Sequence, residues 1–199
     1  MTRTFNRRFA SVAVAAVIAA LSAVANENAG GECAYFSFGA YPVWECPPMG
    51  ADVCGMRFSF LAGRHRNVTG LDMGVFANIC DCSSSGVEFA GLCNVVGDSQ
   101  WALQIAAVCN YSSHNSSGVQ LALVNWGDED IDGLQLGGIN CAGMFGGCQV
   151  GVLNSVESGG GVQFGVVNVS DEFVGVQFGL INFNLSSGVP VLPIMNILF

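Results

Sequence analysis

The sequence predicts an all-β protein built as a tandem-repeat β-solenoid. Three observations lead there. A pattern G-h-Q-h-G-h-h-N, where h is apolar, recurs along most of the 199 residues. Inside each copy, polar and apolar residues alternate with the period of a strand. No stretch after residue 26 carries an apolar period of 3.6 residues, so no helix is expected there.

The repeat is plainest in residues 147–154, 161–168 and 175–182. Leading residues recur at Gly55, Gly70, Gly86, Ala102, Gly118, Gly133, Gly147, Gly161, Gly175 and Gly188, about ten units of 13–16 residues. The second and fourth positions are apolar, as in Leu71 and Met73 or Val119 and Leu121. The third holds Arg57, Asp72 and Glu88, then Gln104, Gln120, Gln135, Gln149, Gln163 and Gln177. The fifth is small, which permits close approach of another backbone. The sixth and seventh are mostly both apolar, which breaks the alternation and implies a corner or bulge. Asn follows, and then a polar stretch such as Ser170-Asp171-Glu172.

Stacked coils give every unit the same environment, which accounts for the same residue at the same position. The expected arrangement puts the second and fourth positions in a continuous core. Asn and Gln stack in ladders, with Gln on an exposed face that contacts a partner or glycan. Ten coils at the inter-strand spacing make a rod of roughly 48 Å.

The segments outside the repeat have their own character. Residues 1–25 read as a secretory signal peptide: Arg3, Arg7 and Arg8, an apolar run, then Ala23-Val24-Ala25 at the cleavage position. Residues 26–53 are aromatic and Cys-rich and read as a cap or leading strand. The repeat domain occupies 54–199, and Pro190 and Pro193 in its degenerate last unit finish an edge. After loss of the leader, fifteen acids face only Arg57, Arg64 and Arg66, a net charge of −12. That charge excludes nucleic acid as a partner and repels anionic surfaces. A hydrophobic content of 51% excludes an acidic disordered tail.

With Asp52-Val53-Cys54-Gly55-Met56-Arg57, Val68-Thr69-Gly70-Leu71-Asp72 and a closing segment from Ile181 through Pro190, Pro193 and Asn196, these units resemble the bacterial surface-repeat family named from leptospiral proteins. The resemblance covers about residues 52–199. It implies a surface-associated protein without an established activity. Nine cysteines and Ala102 in place of the leading glycine depart from the family's pattern.

One competing architecture fits the same repeat: an antiparallel β-meander closing into an outer-membrane barrel, acting as a small pore or anchor. Ten strands is an allowed even number, and the chain ends in Phe199. Short, equal connections and the two prolines favour the solenoid. Cysteine discriminates: Cys93 and Cys109 hold equivalent positions in consecutive units, so a solenoid brings them within disulfide range. Secretion favours some disulfides, and an odd cysteine count leaves at least one unpaired.

Few residues carry site chemistry. Asp128, Asp130 and Asp132, followed by Gly133, match D-x-D-x-D-G, a pattern able to wrap Ca²⁺. The glutamate an EF-hand needs is replaced by Ile139, so the bland reading is a solvated acidic turn. Cys80-Asp81-Cys82 lacks the second pair a zinc site wants, and His65 and His114 stand in loop-like stretches. No catalytic residue and no cofactor other than Ca²⁺ is expected. The functional expectation is an exported, non-enzymatic surface or outer-membrane scaffold. Its surface or extracellular partner is unknown, and membrane association is compatible with it.

Overall fold

A computed structural model describes residues 33–41, 43–47 and 51–199. The leader expected at residues 1–25 lies outside the described residues, as do 26–32 of the expected cap. The chain forms a β-solenoid of about eight turns, with no helix among the described residues. The strands are β1 (Ala34–Ala40), β2 (Trp44–Cys46), β3 (Asp52–Ser59), β4 (Ala62–His65), β5 (Asn67–Gly74), β6 (Ala77–Cys80), β7 (Ser84–Ala90), β8 (Cys93–Val96), β9 (Gln100–Ala106), β10 (Cys109–Ser112), β11 (Ser116–Val150), β12 (Leu153–Asn184) and β13 (Val191–Leu198).

Each early coil contributes one longer and one shorter strand. The longer strands β3, β5, β7 and β9 stack in parallel and in register, and the shorter strands β4, β6, β8 and β10 stack likewise. Parallel pairing between successive units rules out the antiparallel barrel. From residue 116 onward the corners tighten, and β11 and β12 run through several coils as extended chain. The steps between leading residues shorten there from 16 to 14, so fewer residues are left over at each corner.

The coil-to-coil contact is set by the leading glycines. Gly70, Gly86, Gly118, Gly133, Gly147, Gly161 and Gly175 adopt φ between +127° and +147°. A Cβ at Gly161 would collide with the carbonyl oxygen of Gly147, and the same collision recurs at Gly133, Gly147 and Gly175. Both the conformation and the space require glycine.

Inside and outside are the reverse of the sequence expectation. The Gln side chains of the third position are buried, with Gln104, Gln135, Gln149, Gln163 and Gln177 at 0% exposure. The apolar second and fourth positions face out: Met56, Phe58, Met73, Phe89, Leu121, Val150, Phe164 and Phe178 are all exposed. Strand alternation puts these two sets on opposite faces but does not say which set faces in. The deciding term is hydrogen bonding. Identical amides stacked one per coil satisfy one another, which removes the penalty of burying them.

Two such ladders fill the interior. Gln120, Gln135, Gln149, Gln163 and Gln177 each donate from Nε2 to the Oε1 of the preceding Gln at 2.7–3.2 Å. Asn78, Asn94, Asn110, Asn125, Asn140, Asn154 and Asn168 each donate from Nδ2 to the Oδ1 of the following Asn, the last being Asn182, at 2.7–3.0 Å. The amide dipoles of the two ladders therefore point in opposite directions. Small residues at the fifth position make room: a Cβ at Gly165 or Gly179 would press on the amide nitrogen of Asn154 or Asn168.

Apolar residues fill what remains. Val53, Val68, Cys80 and Val96 cluster near one end, and Ile131, Ala142, Phe145, Val156 and Phe173 toward the other. A strand reverses direction at each end of the stack. β2 pairs antiparallel with β1, which lies parallel against β3. The unit expected to begin at Gly188 is not a coil, because β13 turns back antiparallel along β12. Pro190 and Pro193, lacking an amide N–H, suit such a terminal strand.

Candidate functional site

The outward face of the longer strands is the feature that distinguishes this surface. Its two columns, the second and fourth positions, run without interruption from β1 to β13. Phe36 stacks on Met56, Met56 on Leu71, and Leu71 on Val87. In the other column Phe38 stacks on Phe58, Phe58 on Met73, and Met73 on Phe89. At the far end Phe178 pairs with Met195 and Val176 with Ile197. No Asp, Glu or Arg occupies either column. The rings of Phe38 and Phe58 are stacked with centroids 5.7 Å apart, and those of Phe164 and Phe178 at 5.1 Å. Eleven strands at ~4.8 Å spacing, two side-chain columns wide, give a patch of roughly 50 by 14 Å, on the order of 700 Å². Monomeric proteins rarely leave so large a contiguous apolar patch uncovered.

Around the corner the apolar surface continues through exposed Phe60, Val75, Leu123, Val152, Val166 and Leu180. The outer acids lie elsewhere. Asp81, Asp98, Asp128, Glu129, Asp130, Glu157, Asp171 and Glu172 all fall in the stretches between the end of one coil and the leading residue of the next. The exterior is thus divided into an apolar side and an acidic edge.

The second feature is a buried charged row at the start of the Gln ladder. Arg57 donates from Nε to Asp72 Oδ1 at 2.7 Å and from Nη2 to Asp72 Oδ2. Its Nη1 reaches the Ile79 carbonyl and His65 Nδ1, each at 3.2 Å. That leaves the His65 Nε2–H to donate to Ser37 Oγ at 3.2 Å. Burial and the Arg57 charge push His65 down to about 4, so it is neutral. Glu88 follows Asp72 in the row and accepts from Gln104 Nε2 at 2.7 Å. Burial, with the neighbouring Asp72 charge, pushes Glu88 up to about 7, against the pull of Gln104 and Arg57. Its Oε1 has no partner.

The residues singled out in the sequence fall as follows. Asp128 accepts from Tyr111 Oη at 2.6 Å and Trp126 Nε1 at 2.7 Å. Asp130 and Asp132 flank the inward Ile131 on extended β11. Alternate residues of a strand stand nearly 7 Å apart, so the backbone does not wrap the three carboxylates around a point. Among the described residues no group of three or more His, Cys, Asp and Glu side chains is gathered as a metal site. Cys80 is buried and donates to the Arg66 and Ser83 carbonyls, while Cys82 is half-buried. His65 is a core residue rather than a loop residue; His114 is exposed, with Nδ1 3.0 Å from the Gly97 carbonyl.

Cysteine behaves as the coil arrangement requires. Cys93 and Cys109 are register partners on β8 and β10. The Cys109 thiol donates to the Cys93 sulfur, which pulls Cys93 down and, with burial, pushes Cys109 up. A disulfide joins Cys33 to Cys54, with Cα atoms 5.7 Å apart, and ties β1 to the first coil. The chain matches no family model, no curated protein and no solved structure.

Proposed function

We propose that the protein is an exported, non-enzymatic bacterial surface scaffold that works through its outward apolar face. The observation that carries this reading is the inversion of the coil. The interior is held by stacked amides and by apolar clusters of its own, so the apolar columns are not needed to hold the core and stand free to meet a partner. Every coil repeats an outward pair of apolar positions, which builds a long, continuous surface rather than a pocket. The apparent leader at residues 1–25 and the resemblance of the repeats to a surface-associated family support export. The Cys33–Cys54 disulfide is in keeping with an oxidising compartment.

Surface labelling of intact source cells with a membrane-impermeant reagent, together with N-terminal sequencing of the labelled protein, tests this reading. The expected result is label on a chain that begins at Asn26. A chain retained in the cytoplasm with Met1 intact overturns it.

A further inference from the structure

The proposed function leaves open what covers the apolar face, and the inference that follows rests on that reading while naming the occupant. We infer that the occupant is a second copy of the same chain, with the two solenoids packed face to face through the outward columns of their longer strands.

Four observations carry this. The first is pitch. The face is corrugated once per coil, and the ridges are in-register side chains spaced by one inter-strand step. Another copy of the same ladder has the same corrugation, so ridges meet grooves along the whole length, as in paired sheets that interdigitate dry side chains. The second is area. A patch on the order of 700 Å² per copy buries about 1,400 Å² in a pair, within the range of stable specific interfaces.

The third is charge. The paired columns contain no charged side chain, and the acids lie on the coil-to-coil edge, so the negative charge of each copy stays away from the contact. The described chain offers only Arg57, Arg64 and Arg66 as cations; Arg57 is buried on Asp72, and Arg64 pairs with Asp81 at 3.1 Å. An anionic bilayer therefore finds little to attract it. The fourth is the state of the other surfaces. β13 turns back antiparallel along β12 and carries Pro193, with Pro190 just before it, which hinders growth of the stack at that end.

A two-fold axis parallel to the strands and slightly offset from the middle one sets the ridges of one copy into the grooves of the other and makes the contact self-complementary and closed. It reverses the order of the coils in the second copy. Leu121, halfway along its column and 41% exposed, then lies next to its counterpart. Phe58, near one end, meets Phe178, near the other. The aromatic ends of the column cover each other, and the aliphatic middle covers itself.

The test is sedimentation of the full chain, without detergent, from 0.1 to 100 µM (roughly the span between tight and weak association), alongside Leu121→Glu. The expected result is a dimer for the native chain and at least a hundredfold weaker association for Leu121→Glu. The variant should keep its far-ultraviolet circular dichroism and its melting temperature as a dilute monomer, because residue 121 points outward. A native chain that stays monomeric at 100 µM overturns the inference, whatever the variant does. So does association that Leu121→Glu leaves unchanged. So does a native chain that floats with phosphatidylcholine vesicles and is monomeric without them, which would make lipid the occupant. Failure of export in the surface-labelling experiment bears on the scaffold reading and leaves this result standing.

Discussion

The coils before residue 113 and those after it follow the same plan with different fidelity. In the later half the third position is always Gln, the corner always ends in Asn, and the steps settle at 14 residues. In the earlier half the third position changes from Arg57 to Asp72 to Glu88, and the corners carry an extra residue before the Asn, as in Val75-Phe76-Ala77-Asn78 against Leu123-Val124-Asn125. Among the described residues, every buried polar side-chain atom left without a partner lies in the earlier half: on Glu45, Arg64, Asn78, Ser84, Glu88, Gln100 and Ser112. A polar interior is fully hydrogen-bonded where it is uniform. An amide satisfies an identical amide one coil away, whereas a carboxylate above a carboxylate does not. The orphaned Asn78 Oδ1 is one such boundary, because its register partner in the preceding coil is Gly63.

Changes that disturb the uniform half should have the largest effect. Gly161→Ala places a methyl group against the Gly147 carbonyl at φ +135°. The expected cost is about 3 kcal/mol or more, read as a fall in the denaturant midpoint. An unchanged midpoint would show that neighbouring coils separate easily.

Glu88 tests the irregular half with the opposite sign. Its folded-state value of about 7 lies above the ordinary 4.5, so the folded chain holds a proton that the unfolded chain releases. That contribution is fully present below about pH 4.5 and is lost as the pH rises through about 7. Glu88→Gln extends the amide ladder by one member and removes the ionisation. At pH 8 the variant should be more stable than the native chain by up to about 3 kcal/mol, and the advantage should shrink toward pH 4.5. Glu45, also pushed to about 7 by burial, slopes the same way in both proteins and cancels in the difference. A difference that does not vary with pH would place the Glu88 proton elsewhere.

A smaller effect concerns the cysteine neighbours. Oxidised glutathione should accept the two electrons and two protons of the Cys93 and Cys109 thiols and join them by a disulfide, detected by peptide mapping without reductant. Lack of that bridge in folded protein would contradict the in-register stacking of β8 and β10. The smallest effect is expected at the acidic edge. Millimolar Ca²⁺ should leave the melting temperature within about 1 °C, since Asp128, Asp130 and Asp132 lie along extended chain. A clear rise would show that the three carboxylates gather around the ion.

Much of this architecture was legible in the sequence. The coil length, the parallel stacking and the two amide ladders follow from residue identities at fixed steps. The inside was not legible, because alternation assigns opposite faces without naming them, and apolar residues ordinarily fill a core. A better signal was present. Six consecutive units carry Gln at the third position, from Gln104 to Gln177, while the fourth varies among Ile, Leu, Val and Phe. A solvent-facing Gln has no need to be identical to its neighbours, but a self-pairing buried one does. The small fifth residue has the same strand parity as the Gln, which also marks that side as the crowded one. The corner parity and the pairing of β13 depend on local chain length and on the turn at residues 185–188, which the repeat pattern does not encode.

The opposed ladders have a consequence for the length of the molecule. Within the uniform half, each coil offers its neighbours the same donors and acceptors, so the stack itself keeps no count of its members. Removing residues 147–160 would bring Gln163 onto Gln135 and Asn168 onto Asn140, with both ladders unbroken. The irregular coils, whose Arg57, Asp72 and Glu88 fit only one order, act as the origin from which the rest is measured. Such a protein changes its reach by whole coils at little structural cost, and its length is a variable separate from its fold.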